Sequence, residues 1–459
     1  MAERLTNLDT SFLYLDEPGA PLHVGGVLVL ESPPGGLESL AALVEARLPL
    51  VPRYRQRVVQ VPGHLANPVW ADDSAFDLGY HLRRSALPGP GSERQLLDMV
   101  SRVTSRPLDR SRPLWEMYLV EGLAGNRVAV LTKTHPALVD GLSALDIGQV
   151  LLDVDPDTGL PHAQEWRPRP APGPLPLVRD AIGEHVRRPS TAWGSARRAA
   201  SDVRTTTTRL TGVAEGVLRA VRSAAFPAPS SPLNTTRGAQ RRVTVARVDL
   251  AAIKRVRAEH DVTVNDVLLT VVTGALREWL LSRGQPVIGS TSVRALVPVS
   301  VQGPDGVPGG RVSSHLVDLP VGEPNPRVRL ARLSYAMRDV VRDGQSVPAD
   351  TLISLTGFAP PTLHALGVRA ARSLSRRLFN LVVTNVPGPQ VPLYVAGSRV
   401  LEVFPVVPLV RGQGLSVGIT SYDGRVYFGL NADRDGVGDV DLLADLVEQE
   451  IGHLLEDAA

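Results

Sequence analysis

The sequence predicts a mixed α/β (α+β) protein of two lobes joined by a Pro- and Arg-rich linker. Three observations carry this reading. Short β-branched runs alternate with segments of helical spacing over residues 1–160. The same alternation returns over residues 241–459, so the two lobes have the look of a duplication. Between them, residues 161–240 hold 12 Arg against 5 acidic residues, a net +7, in a chain whose total is +2. A length of 459 residues suits two or three domains of roughly 100–200 residues.

In the first lobe, residues 1–160, Val24 to Leu30 (VGGVLVL) lies between Gly-Ala-Pro and Ser-Pro-Pro punctuation and reads as a strand. Leu37 to Leu48 follows at helical spacing, and Arg127 to Lys133 (RVAVLTK) is a second strand. After Asp140-Gly141, residues Leu142, Leu145, Ile147, Leu151 and Leu152 suit the buried face of a helix. In the linker, residues 161–240, WRPRPAPGPLPLVRD reads as extended chain. Leu210, Val213, Ala214, Val217, Leu218 and Val221 then form one apolar stripe, with Arg209, Arg219 and Arg222 off it. Such a helix either packs across the lobes with its arginines in water or lies on an anionic membrane. In residues 241–459, RVTVARVDL is a strand that runs into a helix from Leu250 to Glu259. NDVLLTVVTGALREWLLSRG is a helix ended by Gly284. RALVPVSV, RVSSHLVDLP, FNLVVTNV, GLSVGITSY and RVYFGLNADRD are strands.

Composition removes several functions. The chain has no cysteine, which excludes disulfides, zinc–thiolate sites and a cysteine nucleophile. A net charge of +2 gives no field for nucleic acid. The N-terminus lacks a basic and apolar leader, and no run reaches the ~18 apolar residues of a membrane span. The expected location is the cytoplasm, with peripheral contact to the inner membrane or to lipid droplets. No His/Asp/Glu cluster has metal-ligand spacing, so no metal is expected. The low aromatic fraction, 4%, leaves the cores to Leu, Val and Ala.

The chemistry concentrates in LTKTHPALVDGLSALDIG, residues 131–148, where a strand ends, a polar turn follows and a helix begins. His135, Asp140 and Gly141 are its candidate functional residues. A lone histidine in such a turn is more often structural than catalytic.

Blocks along most of the chain are similar to the bacterial wax ester synthase/diacylglycerol acyltransferase family of the HxxxDG acyltransferase superfamily. They include LDTSFLYLDEPGAPLHVGGV (8–27), PLDRSRPLWEMYLVEGL (107–123), TVNDVLLTVVTGALREWL (263–280), RALVPVSV (294–301), NVPGP (385–389), PLYVAGSRV (392–400) and SYDGRVYFGLNADRD (421–435). The resemblance implies two chloramphenicol-acetyltransferase-like lobes with mixed sheets, flanking helices and a tunnel between them. It also implies transfer of a long fatty acyl group from acyl-CoA to diacylglycerol or a fatty alcohol by direct attack. No cofactor is implied; acyl-CoA is the substrate, and the lipid acceptor is the other partner.

Aligned on Asp140-Gly141, the family's paired histidines fall on His135 and Pro136. The second histidine is the family's general base, and proline has no titratable atom. His135 is the candidate substitute base, although adjacent residues of extended chain point to opposite sides. The resemblance gives Asp140 a structural role, paired with an arginine of the other lobe, for which Arg294 is the candidate. Gly141 permits the turn. Asn265 is either an oxyanion donor or the N-cap of the helix that follows. Pro136, Asp266 and Arg294 are the expected substrate-side positions. Two further departures concern Gly309-Gly310, where the family has Gly-Asn, and Leu415-Ser416, where it has Leu-Asn. Three functions follow: an active O-acyltransferase, a catalytically retired paralogue that binds acyl-CoA or lipid or partners an active relative, and acyl transfer to an intrinsically nucleophilic acceptor such as an amine.

Overall fold

The computed structural model describes residues 3–16, 19, 21–139, 147–160, 166–187, 227–235, 238–301, 311–342 and 378–456. Its first half contains α1 (Asn7–Leu15), β1 (Val24–Glu31), α2 (Gly36–Arg47), β2 (Gln56–Val59), β3 (Val69–Asp72), β4 (Leu82–Ala86), α3 (Glu93–Thr104), β5 (Trp115–Leu123), β6 (Arg127–Thr134) and α4 (Pro174–Arg187). The second half contains β7 (Arg241–Asp249), α5 (Leu250–His260), α6 (Val264–Ser282), β8 (Val293–Val301), β9 (Arg311–Leu319), α7 (Pro326–Arg342), β10 (Leu381–Val386), β11 (Tyr394–Val395), β12 (Ser398–Val406), β13 (Leu415–Tyr422), β14 (Arg425–Asp433) and α8 (Val440–Glu456).

Two six-stranded sheets organise these elements, in the orders β11-β12-β1-β6-β5-β4 and β7-β14-β13-β10-β8-β9. The expected mixed α/β architecture is what the chain adopts. β1 lies between β6 and β12, antiparallel to both, which explains why Val27 to Leu30 is a continuous buried run rather than an alternating one. In the second sheet β10 is parallel to both β13 and β8. Leu381, Val383, Val417 and Ile419 of that sheet share a core with Leu269, Val272, Leu276 of α6 and Val447 of α8. The opposite face meets the end of β12. Gly418 and Gly429 lie beneath Pro405 and Val407, where a Cβ at either glycine would collide. That face therefore looks toward the other lobe.

Two expectations change. The lobes are not contiguous in sequence: β11 and β12, from residues 394–406, complete the first sheet. The Pro-rich stretch is not extended throughout, because it becomes α4 at Pro174. Proline is tolerated in a first turn, where its missing N–H has no intrahelical partner anyway. Leu177 and Ala181 of α4 pack on Val61, Ala66 and Val69, while Leu175 and Ile182 stay 83% and 53% exposed. The expected stripe at 210–221 lies outside the described residues, as do Gly309 and Gly310.

The lobes meet where α3 covers β7, the edge strand of the second sheet. Ser101 Oγ accepts from the Val243 N–H (2.8 Å) and Ser105 Oγ from the Arg241 N–H (2.9 Å), so serines satisfy backbone donors that a neighbouring strand would otherwise take. Arg247 of β7 reaches Glu93 of α3 and Glu402 of β12.

Candidate active site

The motif turn is fastened at both ends. The His135 N–H donates to Leu114 O (2.9 Å) as β6 ends, and Pro136 to Leu138 form a single 3-10 turn. His135 is the N-cap of this turn: its Nδ1 accepts from the Ala137 N–H at 3.1 Å. Since Nδ1 is the acceptor, the neutral ring carries its proton on Nε2. Nε2 is buried without a hydrogen-bond partner, 3.9 Å from Asp16 Oδ2. The ring's one basic lone pair is thus occupied by backbone. Burial pushes the His135 pKa down to about 4, against the pull of Asp16. Asp16 is itself committed, accepting from the Leu22 N–H (2.9 Å) and from Arg110 (3.0 Å).

His23 follows on from the Val24–Thr134 pair of β1 and β6, which sets it opposite His135. It is 5% exposed, neither ring nitrogen has a partner, and burial among Lys133, His135, Arg241 and Arg110 holds its pKa at about 2. Lys133 beside it is buried, donating to Arg106 O (2.7 Å) and meeting Glu116 Oε2 (3.5 Å). Sequence reasoning passed over His23 and Asp16, because their closeness to the motif depends on strand pairing.

Both histidines carry a consequence for stability. Unfolded, they take up protons at the ordinary 6.5; folded, they refuse them until about 4 and about 2. The unfolded state therefore binds more protons throughout this window, and stability falls as pH drops from 6.5 to 4. His135→Asn keeps a capping side chain and removes one titration. Urea midpoints at pH 7 and pH 5 should show a shallower decline for the variant, by about 1 kcal/mol per pH unit.

The other expected residues separate. The N-cap of α6 is Thr263, not Asn265: Thr263 Oγ1 accepts from the Asp266 N–H (3.1 Å), and Asp266 Oδ2 accepts from the Thr263 N–H (2.9 Å). Asp266 is buried in this reciprocal box. Asn265, one residue earlier, accepts at Oδ1 from Asn385 Nδ2 (3.3 Å), tying α6 to the NVPGP loop. Arg294 donates from Nε to Asp318 Oδ1 (2.7 Å) on the facing strand β9. Its expected partner Asp140, with Gly141, lies outside the described residues. Ser416 occurs on the cleft face, its hydroxyl donating to Val407 O (2.8 Å).

Against this geometry, residues 5–268 match the model of the wax ester synthase/diacylglycerol acyltransferase catalytic domain, and residues 308–454 match that of the family's C-terminal domain. The chain belongs to this family. A probable diacylglycerol O-acyltransferase of Mycobacterium tuberculosis is 34% identical over 98% of this chain and 95% of its own length. Another from the same organism is 46% identical over 57% of this chain and 97% of its own. The wax ester synthase/diacylglycerol acyltransferase from Marinobacter aquaeolei VT8 superposes with a TM-score of 0.71 at 28% identity, covering 99% of both chains. The first condensation domain of the calcium-dependent antibiotic synthetase shares the fold, with a TM-score of 0.56 at 16% identity over 100% of this chain and 97% of that one. In this chain Pro136 opens the turn beside a histidine whose basic nitrogen is already bonded.

Proposed function

We propose that the chain is a slow lipid O-acyltransferase, moving a long fatty acyl group from acyl-CoA to diacylglycerol or a fatty alcohol. The acceptor oxygen attacks the thioester carbonyl, a C–O bond forms, the C–S bond breaks, and the hydroxyl proton leaves with the CoA thiolate. Full-length family membership carries this reading. Asn265 Nδ2 is the proposed donor to the developing oxyanion, since its Oδ1 is engaged by Asn385. No metal or cofactor takes part in the proposal.

A second reading, a catalytically retired paralogue that binds acyl-CoA or lipid, is favoured by the bond from the Ala137 N–H to His135, which leaves the substitute base without a free lone pair. Release of CoA from palmitoyl-CoA separates the two. Release that depends on added hexadecanol or diacylglycerol supports the transferase. Tight binding of palmitoyl-CoA without release supports retirement.

Peripheral contact with a membrane or lipid droplet is part of the proposal. No helix among the described residues is long and apolar enough to cross a membrane. The outer face of α4 supports surface contact instead, with Leu175 and Ile182 exposed beside an outward Arg179. Leu175→Ser with Ile182→Ser should reduce co-sedimentation with anionic vesicles severalfold. Unchanged sedimentation retires this surface.

A further inference from the structure

We infer that the stretch leading into α4 positions the motif loop through a column of stacked rings, with Trp166 as the outer ring and Tyr54 as the inner one. Both are positioning residues, acting on the loop and not on substrate. The inference rests on the lipid-acyltransferase reading for the reaction that the loop serves.

Aromatic residues make up only 4% of the chain, yet four of them and one histidine form a single line in the first lobe. Trp166 meets Phe76 edge to face (6.0 Å between centroids), Phe76 stacks on His81 (5.2 Å), His81 stacks on Trp115 (4.7 Å), and Trp115 meets Tyr54 edge to face (5.5 Å). Such pairs add stability beyond the area they bury. Hydrogen bonds lock the inner rings: His81 Nδ1 donates to Trp115 O (2.8 Å), and Trp115 Nε1 donates to Tyr54 O (2.7 Å). A carbonyl only accepts, so Nδ1 carries the His81 proton. Burial pushes the His81 pKa down, so the ring stays neutral and packs as an aromatic. At the outer end Arg55 lies over the Trp166 ring (5.1 Å), and the Arg169 N–H donates to Asp72 Oδ2 (2.9 Å). The chain entering α4 is therefore held to the lobe beside the column.

The inner end of the column reaches both ends of the motif loop. The His135 N–H donates to the carbonyl of Leu114, the residue before Trp115. On the far side, the Ile147 N–H opens the helical turn Ile147–Val150, where a first donor has no partner within the turn. It donates to Tyr54 Oη (3.2 Å). Arg47 then holds the end of that turn, donating to Val150 O (2.8 Å) and to both carboxylate oxygens of Asp153 (2.7 and 2.6 Å). The loop that carries Asp140 and Gly141 leaves beside one ring of the column and returns onto the hydroxyl of the next. Movement of the column shifts both anchors together, and a misplacement of about 1 Å in a catalytic group can cost roughly 10²-fold in rate.

The test is amide hydrogen exchange of the full chain, read by mass spectrometry over residues 147–153, with α8 as the reference. Tyr54→Phe keeps the ring and removes only the hydroxyl; exchange should become about fivefold faster, the value of one net hydrogen bond, with α8 unchanged. Trp166→Ala removes a half-buried ring that touches neither anchor, yet it should speed exchange over 147–153 about threefold, the worth of one ring pair. Trp166→Phe should restore most of that protection. In the double variant, Trp166→Ala should add little to Tyr54→Phe, because the anchor it acts through is already cut. Kinetics supply the readout that a purely structural role would not move. With palmitoyl-CoA and hexadecanol, Tyr54→Phe should lower kcat about tenfold at unchanged KM, in the native chain or in Pro136→His, whichever turns over. Unchanged exchange in Trp166→Ala, fully additive effects in the double variant, or a raised KM at constant kcat each overturn the inference. Because exchange needs no turnover, the two readings fail separately. Coupled exchange without CoA release from either form keeps the column and removes the activity. Acyl transfer with uncoupled exchange does the reverse.

Discussion

Pro136→His is expected to raise acceptor-dependent CoA release by about 10²–10⁴-fold, the usual contribution of a positioned general base. The argument starts from what the native turn lacks. His135 is the nearest imidazole in sequence, but its Nδ1 accepts from the Ala137 N–H and its pKa is depressed to about 4, so it is both occupied and a weak base. The variant puts an imidazole where the resemblance places the family's second histidine. Proline occupies the first position of the 3-10 turn, where a backbone N–H would have no partner within the turn, so histidine fits without breaking a bond. Adding His135→Ala to Pro136→His should lower melting through the lost cap while leaving most of the gained turnover. A folded Pro136→His protein that binds palmitoyl-CoA yet stays silent would show that more than the base is missing, with the site's other departures as the place to look.

Arg329→Met should destabilise the second lobe by ~3–5 kcal/mol, the cost of leaving one member of a buried ion pair alone. Arg329 of α7 meets Glu450 of α8, and both side chains are 3% exposed. Gly274 of α6 lies against this pair, where a Cβ would strike the Glu450 carboxylate, so three helices converge on one charge contact. Burial pushes the Glu450 carboxyl up while Arg329 draws it down; without Arg329, burial is opposed only by the half-exposed His453. The double variant Arg329→Met with Glu450→Leu should recover most of the loss. Urea denaturation of the two single variants and the double variant measures the coupling. Additive losses would mean that the pair contributes nothing as a pair.

Local pattern revealed a good part of this fold. The runs at 24–30 and 127–133, and the strands after residue 241, were legible because β-branched residues between turn signals need no tertiary information. The helix from Val264 was legible too, but its cap was not assigned to Thr263. Thr-Val-Asn-Asp offers three good capping residues, and only the reciprocal spacing from Thr263 to Asp266 distinguishes them. The place of β11 and β12 in the first sheet was illegible, since pairing between residues 25 and 406 is a non-local choice with no local signature. At the site, the end of β6 and the turn after it could be read directly, while Asp140 and Gly141 lie outside the described residues. The occupied Nδ1 of His135 and the unpartnered ring of His23 depend on register and burial, which one sequence does not display.

The late completion of the first sheet has a consequence for biosynthesis. When β6 emerges from the ribosome, β1 has a neighbour on one side only; its other partner, β12, has yet to be made. At ~5–20 residues per second, the wait is on the order of tens of seconds. Throughout that interval the apolar run Val27 to Leu30 belongs to an open edge strand, the form in which strands most readily pair with other chains. Nascent chains stalled before Ser398 should therefore be the ones that aggregate or recruit chaperones.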